Sequence, residues 1–94
     1  MAGERIALIT TRSVGENERD VFLRESEIRS LISTLGLNIV CHQSFTVKEE
    51  NSVYYIGKGQ TEEAVEYSRA FDAEEVVIDV FLSPRQEMNL EDAF

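Results

Sequence analysis

The chain has 94 residues, a net charge of −9, 43% hydrophobic and 29% charged residues, one cysteine and one histidine. This length fits one small globular domain, residues 1–94, and the composition excludes a disordered tail. The negative charge disfavours free-standing DNA binding, because nucleic-acid affinity comes largely from Lys and Arg side chains that neutralise phosphates. We expect a cytoplasmic protein without a disulfide, structural zinc or a membrane span, since Cys41 and His42 stand alone and the longest apolar run has the length of a strand.

The first half of the chain predicts a strand, a helix and a second strand. Residues 5–10 form a continuous apolar run, typical of a strand covered on both faces, and residues 11–19 read as a loop. A helix is predicted from about Asp20 to its stop at Gly36. Its predicted core face consists of Val21, Ile28, Leu31, Ile32 and Leu35.

Several residues near this helix are predicted to be structural. Arg24, Glu25 and Arg29 alternate in sign and are interpreted as a solvated face without a site. Residues 37–42 predict the second strand, in which Cys41 is interpreted as a small core residue and His42 as structural. A loop or irregular extended segment is expected over residues 43–52.

The second half predicts two further strands, each followed by a helix. Residues 53–56 are β-branched and aromatic, and after a glycine turn Thr61 is expected to cap a helix with an acidic first turn. Residues 75–80 predict the last strand, and residues 83–86 form a capping box with Pro at the first helical position. The residues expected to face the sheet from the helix after Thr61 are Ala64, Val65, Tyr67, Ser68 and Phe71.

These elements predict the fold class: α/β, with a small, mostly parallel four-stranded sheet flanked by helices. The link between the second and third strands is too short for a crossover helix, so a mixed pairing at that point stays open. The strand order is not determined by the pattern.

Candidate binding residues lie in segments that follow strands, because functional loops converge at the carboxyl edge of a parallel sheet. Three segments belong there: residues 10–17, 57–61 and 79–83. The glycine backbone, a lysine and a helix amino terminus favour an anion, for example an RNA phosphate. The candidates for this contact are Gly57, Lys58, Gly59 and Thr61. A plain strand-to-helix turn is the alternative.

The pattern does not support catalysis. The spacing of a phosphate-binding P-loop occurs nowhere in the chain. Asp79 ends an apolar strand, but the first strand ends in Thr10, Thr11 and Arg12 instead of the carboxylates that a phosphoacceptor or metal site needs.

Two ordered motifs resemble the amino-terminal domain of HflX-type ribosome-associated GTPases. The first is Tyr55-Ile56-Gly57-Lys58-Gly59, followed by Thr61-Glu62-Glu63. The second comprises Val77-Ile78-Asp79, Leu82-Ser83-Pro84-Arg85-Gln86 and Asn89-Leu90-Glu91. Three features depart from the family and weaken the case for direct RNA contact. Gln60 replaces a common lysine, Val80-Phe81 replaces a usually acidic pair, and residues 43–52 lack the arginines often found there.

The resemblance implies a non-catalytic domain that contributes to binding the large ribosomal subunit and to regulation of an attached G domain. GTP and Mg²⁺ would belong to that G domain, so no cofactor is expected in these residues. A stand-alone nucleotide- or phosphate-binding α/β domain is the alternative function. Homodimerisation through a sheet edge or the last helix is a third reading.

Overall fold

The computed structural model describes residues 4–94. Strands and helices alternate along them, and every strand pairs in parallel with its neighbour. The elements are β1 (Arg5–Ser13), α1 (Glu18–Thr34), β2 (Asn38–Val47), α2 (Lys58–Ala70), β3 (Glu75–Ile78) and α3 (Pro84–Ala93).

The sheet has three strands in the order β2-β1-β3. β1 pairs with β2 along its whole length, with a register shift between Ile6 and Ala7, and β3 pairs only with Ile6 to Ile9. The predicted α/β class with a parallel sheet is therefore confirmed, whereas the predicted four strands are wrong.

Residues 53–56 do not form the expected strand. The Asn51 side chain accepts hydrogen bonds from the N–H groups of Val53 and Tyr54, at 2.8 and 3.1 Å, which bends the chain into a turn. Tyr55 has a φ of +71°, and its N–H and C=O bond back to Asn51. This local turn overrides the β propensity of the side chains, and Ile56 is buried in the core instead.

The core consists of two apolar clusters on opposite faces of β1. Ile9 packs with Phe45, Ile56 and Ala64 on the α2 side. Ile6 and Leu8 pack with Ile32 on the α1 side. β1 is thus covered on both faces, as its unbroken apolar run predicts.

Both long strands extend further than predicted. β1 continues to Ser13, and the loop expected at residues 11–19 shrinks because α1 already begins at Glu18, after Asn17 caps the helix. β2 continues to Val47, so residues 43–47 are strand and not loop. Pairing between two long parallel strands outweighs the polar composition of these ends.

Two of the predicted helix boundaries are confirmed, whereas the predicted start of α2 and part of the predicted core faces are wrong. Gly36 has a φ of +75° just after α1, and the Ser83–Gln86 capping box opens α3. Thr61 was wrongly expected to cap α2, since Gly57 occupies that position, and the first turn carries no acidic residue. Side chains predicted to face the core but found 36–64% exposed are Leu31, Leu35, Tyr67 and Phe71. The sheet is too narrow to cover them.

Candidate functional site at the carboxyl edge of the sheet

The three segments predicted for the carboxyl edge all reach it. The N–H and hydroxyl of Thr11, on β1, donate to Asp79 Oδ1 at 2.9 and 3.1 Å, which joins the first segment to the third. Gln60 Nε2 donates to the carbonyl of Thr46 near the end of β2, which fixes the second segment at the opposite side of the same edge.

The first turn of α2 presents backbone donors. Helix geometry leaves the first N–H groups without intrahelical acceptors, and no side chain caps them here. Lys58 is exposed beside them, whereas Thr61 is buried and its hydroxyl donates to the Gly57 carbonyl at 2.9 Å. The Gly57 N–H donates to Gln60 Oε1 at 2.9 Å. The open donors of the four candidates are therefore the Lys58 side chain and the backbone N–H groups of Lys58 and Gly59.

A side chain would fit sterically at both glycines of this turn. Gly57 has a φ of −65°, and a Cβ there would meet only the Gln60 side chain, at 3.5 Å or more. A Cβ at Gly59 would have no described atom within 4 Å. Glycine is a favoured N-cap residue, so Gly57 suits its position at the start of α2. Gly59 lies inside the helix, where glycine is destabilising, and it leaves space above the turn without a structural need for it.

A second cluster, which we call the Arg24 network, lies on the α1 side of the edge. Arg24 bonds to Glu16 at 2.5 Å, to the Thr11 carbonyl at 2.7 Å and to Asp79 Oδ2 at 3.4 Å. The Asp79 side chain is only 1% exposed, so the guanidinium compensates a buried carboxylate. Asp79 is a structural anchor that joins β3 to α1 and β1.

The charges of this network reinforce one another. The hydrogen bond from Arg24, together with the bond from the Ser13 N–H, lowers the pKa of Glu16 from 4.5 to about 2. The bond from Glu16 in turn raises the pKa of Arg24. Both groups remain ionised throughout the physiological range.

His42 forms a separate polar chain with α1. Arg29 Nη2 lies 2.7 Å from His42 Nδ1, and His42 Nε2 lies 2.8 Å from the buried Thr10 hydroxyl, which is 3.1 Å from Glu25 Oε1. Since Arg can only donate, Nδ1 accepts, Nε2–H donates to Thr10, and Thr10 donates to Glu25. Burial and the charge of Arg29 lower the pKa of His42, which agrees with a neutral ring.

The prediction that Arg24, Glu25 and Arg29 form only a solvated face is therefore wrong. All three contact residues of the sheet or its loops. The alternating sign of these side chains predicts ion pairs along α1. Their observed partners in β1 and β2 are distant in the sequence, so residue spacing within the helix cannot reveal them.

The second sequence motif contacts the turn that leads into the first. Gln86 Nε2 donates to the Asn51 carbonyl at 2.8 Å, and Asn89 Nδ2 donates to the Val53 carbonyl at 3.1 Å. These bonds from α3 hold the turn that leads to Gly57, including Tyr55 with its positive φ. Gln86 also accepts from the Ser83 N–H at 2.9 Å, so one side chain both caps α3 and supports the turn before the first motif.

Sequence reasoning missed Glu16, Asn51 and Asn89 as members of these networks. Asn51 carries a usable signal, since Asn in a polar loop often forms a turn with its own backbone. Cys41 is buried, and burial raises the pKa of its thiol, which confirms its interpretation as a core residue.

Within residues 4–94 we find no cluster of three or more potential metal-binding side chains. Over the same residues, no helix combines the length and apolarity needed to cross a membrane.

Fold and edge together define a small α/β module in which no N-cap side chain bonds the first-turn N–H groups of α2, and in which α3 holds the turn that leads into that helix. Residues 24–94 match the family model described as GTP-binding GTPase N-terminal. The chain is also 32% identical over 71 residues to the GTPase HflX of Treponema denticola, an alignment that covers 76% of this chain and 18% of that protein.

The chain belongs to the family of amino-terminal domains of HflX-type GTPases. The aligned residues span less than a fifth of the Treponema relative, and the sequence contains no P-loop spacing that would mark a catalytic G domain.

Proposed function

We propose that this chain is a non-catalytic domain of an HflX-like GTP-binding protein that contributes to large-ribosomal-subunit binding and regulates an attached G domain. The family membership supports the connection to a GTPase. The same proposal places the protein in the cytoplasm and assigns GTP and Mg²⁺ to the G domain.

One observation supports the first turn of α2 as the contact: the fold does not need glycine at position 59. Gly59 lies within α2 and has open space around it, so alanine at this position would give a more stable helix than glycine. Close approach of a ligand backbone or phosphate accounts for glycine there, and Lys58 supplies the cation.

Two variants separate binding from folding. Gly59→Ala should raise the free energy of unfolding by about 0.5–1 kcal/mol, because alanine loses less backbone entropy. The same change should weaken binding to purified large subunits if a ligand approaches Gly59. Stabilisation together with unchanged binding would refute the assigned contact.

Lys58→Ala provides the charge test. It should weaken subunit binding more than Lys48→Ala, which removes the same charge from an exposed position in the loop after β2. Equal effects of the two lysine variants would mean that only net charge matters.

The alternative, a stand-alone nucleotide- or phosphate-binding domain, rests on the same uncapped helix amino terminus. Titration calorimetry of the chain with GTP, ATP and inorganic phosphate separates the two functions. Heat that is lost in Lys58→Ala supports the alternative, and the absence of heat for all three ligands removes it.

A further inference from the structure

Tyr55 has a backbone conformation that an aromatic residue disfavours. Its φ is +71°, in the left-handed region where the Cβ of an L-residue crowds the carbonyl oxygen that follows it. Within residues 4–94 one other non-glycine residue, Asp72, has a positive φ, and the short polar side chain of Asp tolerates that region better than a bulky one does. The surrounding structure must therefore hold Tyr55 in place.

The core anchors the side chains of this segment. Tyr55 packs against the cluster that contains Ile9 and Phe45, and the next residue, Ile56, is 0% exposed. These two anchors keep the segment on the core, while hydrogen bonds set the direction of its backbone.

Helix α3 fixes the hydrogen-bonded end of the turn. The Asn51 carbonyl accepts from the Tyr55 N–H at 2.8 Å and from Gln86 Nε2, also at 2.8 Å. Asn89 lies three residues after Gln86, on the same face of α3, and its Nδ2 donates to the Val53 carbonyl at 3.1 Å. Two side-chain amides of α3 thus tie down the strained backbone.

The first turn of α2 has little stability of its own. Its N-cap residue, Gly57, offers no side-chain bond, and Gly59 lowers the stability of the turn. The first helical bond runs from the Thr61 N–H to the Gly57 carbonyl, at 2.8 Å, so it forms only when the preceding chain places Gly57 correctly. Since Gly57 lies two residues after Tyr55, the turn depends on the Tyr55 backbone.

We propose that α3 controls the formation of the first turn of α2 through the strained backbone of Tyr55. While Gln86 and Asn89 donate to the preceding turn, Tyr55 stays left-handed and α2 begins at Lys58. When these two bonds are broken, Tyr55 relaxes to a negative φ and the first turn of α2 unravels, while its later turns stay packed on the sheet. Such an order–disorder change of a short segment is a conformational switch, with α3 as its controlling element.

The switch would regulate the proposed ribosomal contact, and in this respect the inference rests on the proposed function. Lys58 and Gly59 hold their open donors in a fixed arrangement only while the first turn is helical. Docking of α3 and binding at this turn should therefore favour each other by the same factor, because coupling between two sites is reciprocal.

Amide exchange of the 94-residue chain tests the switch without any ligand. Gln86→Glu with Asn89→Asp replaces both donor amides by carboxylates of the same shape, which accept but cannot donate. Exchange of the Gly57 and Thr61 amides, both hydrogen-bonded in the natural chain, should become about tenfold faster in this double variant, while exchange in residues 66–70 of α2 should not change. Unchanged exchange at Gly57 and Thr61 would overturn the proposal, and so would equal acceleration in residues 66–70, because the whole domain would then be opening.

A charge control accompanies the double variant. Ser26→Asp with Ser30→Asp adds the same two negative charges at exposed positions of α1. This control should leave the exchange of Gly57 and Thr61 unchanged. Acceleration equal to that in the double variant would show an effect of net charge and would overturn control by α3.

Two substitutions of Tyr55 separate backbone strain from simple contact. Tyr55→Gly and Tyr55→Ala both remove the ring, but glycine adopts a positive φ without steric cost and alanine does not. Removal of the α3 donors should accelerate Thr61 exchange by about tenfold in the alanine background and by less than about threefold in the glycine background. Equal acceleration in both backgrounds would refute the role of Tyr55.

Co-sedimentation with large ribosomal subunits then connects the switch to function. The variant without α3 donors should bind about tenfold more weakly than the charge control, in proportion to the lost population of the helical turn. Faster exchange with unchanged subunit binding would support control by α3 and refute the first turn of α2 as the ribosomal contact. Unchanged exchange would overturn control by α3 whatever the binding result.

Discussion

Replacing Arg24 by methionine tests whether the Arg24 network holds the carboxyl edge together. Methionine keeps much of the aliphatic length but removes the bonds to Glu16, the Thr11 carbonyl and Asp79. The Asp79 carboxylate, 1% exposed, would keep only the N–H and hydroxyl of Thr11 as partners.

Removing one partner of a buried ion pair typically costs 3–5 kcal/mol. Arg24 is partly exposed and water can enter in its place, so we expect a loss of about 3 kcal/mol in the free energy of unfolding. For a domain of this size, about 1 kcal/mol corresponds to roughly 4–8 °C, which predicts a fall in Tm of roughly 12–24 °C.

Urea unfolding followed by circular dichroism measures this loss, and a double-mutant cycle with Asp79→Asn assigns it. The double variant no longer buries an unpaired charge, so its loss should be smaller than the sum of the single losses by about 1–3 kcal/mol. Arg19→Met, on the exposed surface of the same helix, should change stability by less than about 0.5 kcal/mol. Strict additivity, or equal losses for Arg24→Met and Arg19→Met, would refute the reasoning.

Three further predictions concern the neighbouring networks. The pKa of Glu16 is lowered from 4.5 to about 2, so its contribution to stability is present above pH 4.5 and is lost as the pH falls toward 2. The free energy of unfolding in urea should therefore differ between Glu16→Gln and the unmodified chain at pH 7, and the two values should converge near pH 2. A difference that does not change with pH would contradict this. The pKa of His42 is lowered, so its contribution to the free energy of unfolding is present above the unfolded-state pKa of 6.5 and decreases as the pH falls below that value. NMR titration of this single histidine should give a pKa below 6.5 that rises in Arg29→Met. A pKa that does not change in this variant would exclude the contact between Arg29 and His42. Gln86→Ala removes two hydrogen bonds, so it should lower the free energy of unfolding by about 2 kcal/mol and accelerate amide exchange in residues 51–57. The matched variant Gln86→Glu keeps the acceptor for the Ser83 N–H. Exchange rates that are unchanged in Gln86→Ala would mean that α3 does not hold the turn before the first motif.

Local signals predicted the elements whose causes are local. The apolar run of β1, Gly36 after α1 and the Ser83–Gln86 capping box each depend on a few adjacent residues, and the structure confirms all three. The turn at Asn51 also has a local cause, but the β propensity of the following residues obscured it.

Long-range contacts explain most of what sequence reasoning missed. Arg24 bonds to residues 8 and 55 positions away in the chain, and no spacing rule connects it to Asp79. The predicted core role of Leu31 and Leu35 failed because helical periodicity identifies an apolar face without indicating how much sheet lies beneath it.

Of the candidate site, Gly57, Lys58, Gly59 and Thr61 were predicted from composition and motif resemblance. The structure places them in one helical turn and shows that the Thr61 hydroxyl is already bonded to Gly57. Anion or RNA contact by this turn stays a prediction, because backbone geometry shows which donors are open and not what they bind.

Co-sedimentation of the 94-residue chain with purified large ribosomal subunits tests the proposed function most directly, with small subunits as the matched control. The account predicts saturable binding to the large subunit that weakens in Lys58→Ala and is retained in Lys48→Ala. The absence of binding to large subunits, at concentrations where the chain is folded and monomeric, would contradict it.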